Sequence, residues 1–248
     1  MVDIHCHILP GVDDGAASME ESLAMVRLAA ESGVRRIVAT PHFPGEEESM
    51  QMLPLVLSRF KALRHEVKKR NLPVSVYPGV EILCTPQTPN LARQGKLPTI
   101  GNSRYILTEF YFDETLEYME LMLDQLARWG YRPVVAHPER YEAVQKRPLV
   151  MQRWFGKGYI LQLNKGSILG AFGTRAENAA NDLLKRGLAH VIASDAHSYR
   201  VRTPWLQDIR KVLTQEISED CARLLLRDNP NRIIHNEIIQ PVEPDWFQ

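Results

Sequence analysis

Long apolar runs, pairable cysteines and surplus charge are all scarce in this 248-residue chain. No window approaches the roughly 20 apolar residues that cross a bilayer, and the N-terminal stretch lacks the basic-then-apolar pattern of a secretion signal. Membrane insertion is therefore not expected, and the expected compartment is the cytoplasm. Cys6, Cys84 and Cys221 are odd in number and lack zinc-type spacing, which argues against a disulfide framework or a structural zinc knot. Thirty basic residues balance thirty acidic ones. The chain thus has no overall field to hold a polyanion, and nucleic acid is not an expected partner. Repeats, low-complexity tracts and linkers are also missing, so residues 1–248 are expected to form a single domain, at a length where α/β barrels are common.

What the chain does contain is alternation. Short apolar runs ending at Asp3-Ile4-His5-Cys6-His7, and spanning residues 36–40, 74–80, 105–108, 133–136, 159–163 and 189–193, read as about seven strands. Between them lie helical patterns. One opens at the capping box Ser18-Met19-Glu20-Glu21 and stops at Gly33; another passes through Leu53, Phe60 and Val67; a third covers Leu116 to Trp129. A short piece around Leu149 to Phe155 follows, then a helix opening at the capping box Thr174-Arg175-Ala176-Glu177 and ending at Gly187. Residues 85–102 read as a long loop with at most one short helix. C-terminal helices through Ile209 and Leu213, and from Cys221 to Leu226, precede an acidic, proline-containing tail expected to lie over the barrel. Repeated βα units argue for parallel strands in a closed or nearly closed (β/α) barrel, with an open doubly wound sheet as the alternative.

Polar residues end nearly every one of these strands. In an extended segment His5 and His7 project from one face and Cys6 from the other. Asp14 lies in the glycine-rich loop that follows, and His42, Glu81, Glu109, His137, Asp195 and His197 stand at or just beyond later strands. A barrel gathers these ends at one mouth. Imidazole and carboxylate are the usual ligands of divalent transition metals, and nine such groups exceed the needs of one ion, so a cluster of two or three bridged by carboxylates is expected. His65 on a charged helix, His190 at the opposite end of its strand from His197, and His235 near the tail read as structural or solvated.

The motifs Asp3-Ile4-His5-Cys6-His7, Gly11-Val12-Asp13-Asp14-Gly15, Thr40-Pro41-His42, His137-Pro138-Glu139-Arg140-Tyr141 and Ser194-Asp195-Ala196-His197 resemble those of the polymerase and histidinol phosphatase (PHP) superfamily. Within it they are most similar to the Gram-positive bacterial tyrosine-protein phosphatases of the CpsB/YwqE type. The resemblance implies a distorted (β/α)7 TIM-like barrel of the PHP fold with C-terminal helices. It also implies a trinuclear centre, often manganese (Mn2+) with Fe, Zn or Mg as alternatives, and a substrate, the phosphotyrosine tail of a cognate bacterial tyrosine kinase that controls capsule or exopolysaccharide export. By motif, His5, His7, Glu81 and Asp195 would hold one ion, Glu81, Glu109 and His137 a second, and Asp14, His42 and His197 a third.

The expected chemistry follows from metal ions acidifying water, so that hydroxide attacks phosphorus without a protein nucleophile. A planar guanidinium suits the remaining phosphate oxygens. Arg140 and Arg202 are the candidates, both matching arginines of the resembling family, with Arg200 a possible substitute for Arg202. A phenol leaves with little acid help, although His42 is a candidate to assist. Cys221 and Arg227 fit a Cys-x5-Arg spacing, but three leucines of a helical pattern lie between them where a phosphate loop needs a nest of backbone N–H groups. Cys6 is expected to act as a small hydrophobe. The competing readings are a phosphomonoesterase for a small metabolite such as histidinol phosphate and a non-catalytic regulator that binds the kinase tail. A PHP nuclease is disfavoured by the neutral charge and the missing polymerase domain.

Overall fold

A computed structural model describes residues 1–242. Its strands are β1 (Val2–Cys6), β2 (Arg36–Ala39), β3 (His42–Pro44), β4 (Ser75–Pro78), β5 (Glu81–Leu83), β6 (Tyr105–Glu109), β7 (Arg132–Ala136), β8 (Ile160–Asn164) and β9 (Val191–Ala193). They form two parallel sheets, ordered β1-β2-β4 and β3-β5-β6-β7-β8-β9. An isolated parallel bridge between Cys6 and Ala196 brings the last segment beside the first. Two hydrogen bonds hold this seam, from His7 N to Ala196 O at 2.8 Å and from Asp195 N to His5 O at 2.9 Å.

Nine strands replace the expected seven because two of them are interrupted. Pro41 has no N–H for the ladder, so the chain leaves β2 and resumes as β3 only at His42, whose N–H donates to Asp13 Oδ2 at 3.0 Å. The run expected over 74–80 breaks at Gly79, where a Cβ would lie 2.7 Å from Val38 Cγ1, and Glu81 opens β5 rather than following a continuous strand. Residues 85–102 hold one α-helix, Thr88–Arg93, and a 3-10 turn at Ile100–Asn102.

Two apolar clusters form on the strands' faces. Val2, Ile4, Val38, Leu107, Val134, Ala136, Ile160, Val191 and Ala193 form the smaller one, with Ile100, Ile233 and Ile234 packed into it. Ile37, Ile106, Val135, Leu161 and Ile192 belong to the larger cluster, with helix residues such as Leu23, Leu63, Leu123 and Leu183. Cys6 is in this larger cluster, buried as expected.

The helix Met19–Glu31 starts as its capping box predicts, with Ser18 Oγ accepting the Glu21 N–H at 3.2 Å. The capping box expected at Thr174 does not form: Thr174 is already helical, Gly173 is the cap, and no side chain bonds there. The C-terminal helix is also interrupted, as Glu219–Arg223 gives way to a π turn over Leu224–Asp228. The tail is pinned as far as Gln240, which exchanges two hydrogen bonds with the buried Asn229. The expectation for the tail beyond Val242 lies outside the described residues.

Candidate metal centre

All nine sequence-predicted ligands meet in one cluster, most of them at the carboxyl ends of strands or just beyond, with His42 and Glu81 opening β3 and β5 where the interrupted strands resume. They fall into four overlapping sets whose ligand atoms lie within 4.8 Å of one another: His7, Asp14, His42 and His197; His5, His7 and Glu81; His5, His137 and Asp195; and His42, Glu81 and Glu109. Glu81 is the hub. Its Oε1 lies 3.1 Å from both His5 Nε2 and His137 Nε2, while Oε2 lies 3.3 Å from His7 Nε2 and 3.2 Å from His42 Nδ1. Glu109 reaches His42 at 3.0 Å and His137 at 4.0 Å. Asp14, largely exposed, stands 3.5 Å from His42 Nε2 and 3.4 Å from His197 Nε2.

The grouping differs from the motif-based partition, because His137 sits with His5 and Asp195 while His42 takes its place beside Glu81 and Glu109, and His7 also joins the Asp14 set. His42 has both ring nitrogens facing carboxylates.

Backbone strain is concentrated at this rim. His137 and Asp195 adopt positive φ values of 35° and 51°, a conformation that costs a side-chain-bearing residue on the order of 1–3 kcal/mol. These turns follow β7 and β9 and swing both side chains into the cluster.

Charge separation keeps the cluster polarised. Burial pulls His5 toward neutrality, but Glu81 and Asp195 outweigh it and raise the imidazole to about 9. His42 is raised to about 11, with Glu109 and Glu81 again overcoming burial. Against its burial, Glu81 is held well below the usual carboxylate range by His5, His137 and His42. His197 is the exception: burial and the neighbouring His7 lower it to about 4.

The donor set fits divalent metal ions. Although His7 and His42 approach Glu81 Oε2, neither is aligned to hydrogen-bond it, and among the described residues that buried oxygen has no hydrogen-bond partner, as is also true of His137 Nδ1. His5 Nε2 faces His7 Nε2 at 3.2 Å, a pair that can share only one proton. Lone pairs converging on common points, without protons enough to satisfy them, are what bound cations would relieve. Protons and ions compete for these imidazole nitrogens, so ion uptake must release protons.

Beside the ligands stand two guanidiniums. Asp195 splits its oxygens between the two groups: Oδ1 faces His5, His7 and His197 at 3.4 to 3.6 Å, while Oδ2 accepts from Arg140 at 3.3 Å and from Asn164 Nδ2 at 2.6 Å and pairs with the Arg202 guanidinium at 2.6 Å. The left-handed backbone of Arg202, φ 51°, aims its side chain inward. Arg200 instead bonds the neighbouring Tyr199 hydroxyl at the exposed surface.

Three supporting residues escaped sequence reasoning. Asp13 Oδ2 lies 2.8 Å from His7 Nδ1, and Gln162 Oε1 lies 2.8 Å from His5 Nδ1, so each fixes which nitrogen of its imidazole faces the cluster. Asp3 accepts from Ser194 N at 3.1 Å and from Ser194 Oγ at 2.5 Å, tying β1 to the turn that carries Asp195. Asp13 had a legible signal in the paired aspartates of Gly11-Val12-Asp13-Asp14-Gly15; Gln162 and Asp3 had none beyond their position in strands. Away from the mouth, His65 and His235 are exposed, and His190 is buried against Phe155 and accepts the Leu161 N–H at 3.0 Å. Cys221 is buried in the larger apolar cluster, where desolvation pushes its thiol up to about 12.

Comparison with known proteins agrees with this site. Residues 1–235 match the family model described as capsular polysaccharide synthesis, CpsB/CapC. The tyrosine-protein phosphatase YwqE of Bacillus subtilis is 33% identical over 246 residues, covering 98% of this chain and 96% of YwqE. The tyrosine-protein phosphatase CpsB of Streptococcus pneumoniae is 30% identical over 249 residues, covering 96% of this chain and 100% of CpsB. A crystal structure from a study of YwqE and CpsB, described as unique metal-dependent tyrosine phosphatases, superposes with a TM-score of 0.88 at 32% identity, covering 98% of each chain.

Proposed function

Since the chain belongs to the CpsB/CapC family of capsular polysaccharide synthesis proteins, we propose that it is a metal-dependent protein-tyrosine phosphatase. Its substrate on this reading is phosphotyrosine in the tail of a cognate bacterial tyrosine kinase, dephosphorylated in the cytoplasm to regulate capsule or exopolysaccharide synthesis. The whole chain acts as one domain, a distorted seven-unit barrel in which β2 with β3 and β4 with β5 are each one interrupted strand. The observation that carries the reading is Asp195, which joins a nine-residue imidazole and carboxylate cluster to two guanidiniums through its two oxygens.

His5, His7, Asp14, His42, Glu81, Glu109, His137, Asp195 and His197 would hold the ions, three in number and manganese by preference. Bound there, divalent ions supply hydroxide near neutral pH and offset phosphoryl charge. Arg140 and Arg202 hold the phosphate oxygens that face away from the cluster, presenting planar N–H edges suited to two oxygens at once. Asn164 shares Asp195 Oδ2 with them and keeps that carboxylate in place. His42 serves as a ligand and stays the candidate to assist the leaving group. The departing phenolate needs little protonation, since phenols ionise near pH 10.

Elemental analysis of the purified protein, with parallel rates on a phosphotyrosine peptide and on histidinol phosphate, tests this reading. The expected result is several divalent ions per chain and faster peptide cleavage, with activity lost to a chelator and unchanged in Cys221→Ser. Preference for histidinol phosphate would move the assignment to a small-metabolite phosphomonoesterase. Tail binding without turnover in the metal-loaded protein would make it a regulator.

A further inference from the structure

We propose that Phe172 is a positioning residue that sets both phosphate-facing arginines, a role that rests on the phosphate contacts assigned above to Arg140 and Arg202. Phe172 is half-buried in the segment joining the helices Lys165–Ile168 and Thr174–Lys185, at the rim beside Asp195. Its ring lies against the backbone of Gly166, where a Cβ would come within 2.7 Å of Phe172 Cε2. Any larger residue at position 166 would lift the ring.

Both guanidiniums use this one ring. Arg140 Cζ lies over the Phe172 ring at 4.4 Å and over the Phe112 ring at 4.5 Å, so two aromatic rings face its guanidinium. Arg202 Cζ lies 5.6 Å from the same Phe172 ring. With these rings against it, Arg140 turns its Nη1 toward Asp195 Oδ2 at 3.3 Å, and Arg202 Nη2 approaches the same oxygen at 2.6 Å. An arginine free in solvent must give up rotamer freedom to adopt one such pose. A ring already in place removes much of that loss before phosphate arrives, and the cation–π attraction selects the stacked pose. Leucine would fill the same space without supplying a π face.

The test uses the metal-loaded protein and inorganic phosphate as an inhibitor, alongside KM and kcat for a phosphotyrosine peptide. Phe172→Leu should raise the phosphate inhibition constant and KM together by about tenfold, one stacking contribution from each arginine, with kcat changed less than about threefold. Metal content and melting temperature should stay as in the parent, and Phe172→Tyr should restore parent values. Phe112→Leu, which reaches Arg140 but not Arg202 and also faces His137, should give about threefold, with its metal content measured alongside. With Arg140→Ala and Arg202→Ala already in place, Phe172→Leu should add nothing to phosphate inhibition, because the stacked partners are gone. Unchanged phosphate inhibition in Phe172→Leu, or an effect that persists without the arginines, overturns the platform alone. If Arg140→Ala and Arg202→Ala leave phosphate inhibition untouched, the phosphate contacts fail and the platform falls with them.

Discussion

His5 and His190 are both buried imidazoles, 0% and 5% exposed, yet they carry opposite proton affinities. Glu81 and Asp195 raise His5 to about 9 despite burial. His190 meets Phe155 and the Leu161 N–H, and burial lowers it to about 4. The pair teaches that burying an imidazole does not make a site; the carboxylates brought beside it do. His197, lowered to about 4 inside the cluster, adds that a neighbouring imidazole can cancel that help.

The largest effect should come from making His5 resemble His190. Glu81→Gln removes the charge shared by four imidazoles, and it should reduce both metal content and phosphotyrosine hydrolysis by more than about a hundredfold, since even supporting residues of metal sites are worth 10- to 100-fold. Retention of the full metal complement by elemental analysis would break the comparison. Asp13→Asn is milder. It leaves the ligands in place but weakens the acceptor that fixes His7, so metal affinity measured by competition with a chelator should fall about tenfold.

The smallest effect tests the other member of the pair. With its folded-state value below the ordinary 6.5, His190 takes up a proton more readily in the unfolded chain, so its contribution to stability falls as pH drops from 6.5 toward 4. Between pH 7.5 and 5.5 this should cost about 1 kcal/mol. His190→Asn, which offers an oxygen to the Leu161 N–H but does not titrate, should flatten denaturant-measured stability by that amount relative to the parent. Parallel pH curves would show that His190 is not the silent buried imidazole described here.

Much of the mouth was legible because its chemistry sits at the ends of apolar runs. Glu109, His137, Asp195 and His197 could be placed from strand periodicity alone. What stayed hidden depended on contacts distant in sequence or on backbone twists. Arg200 and Arg202 look alike on paper; the left-handed turn at Arg202 decides between them. The breaks at Pro41 and Gly79 come from a missing donor and a close approach to Val38, a residue on the neighbouring strand. Thr174 failed as a cap because helix entry shifted one residue earlier, to Gly173. Phe112 and Phe172 carried no periodic signal, since both lie outside the regular elements and share only their approach to Arg140.

The seam between β1 and the turn after β9 has a consequence in time. Asp3 and Ser194 are 191 positions apart, and Cys6 pairs with Ala196 across the same gap. At a synthesis rate of about 5–20 residues per second, a ribosome needs roughly 10–40 s after making His5 before Asp195 exists to face it. Until then the first two histidines of the chain lack their carboxylate partner from the far side, and a nascent chain can offer a cation only a partial set of ligands. The nine side chains can therefore come together only after the segment carrying Asp195 and His197 has been made.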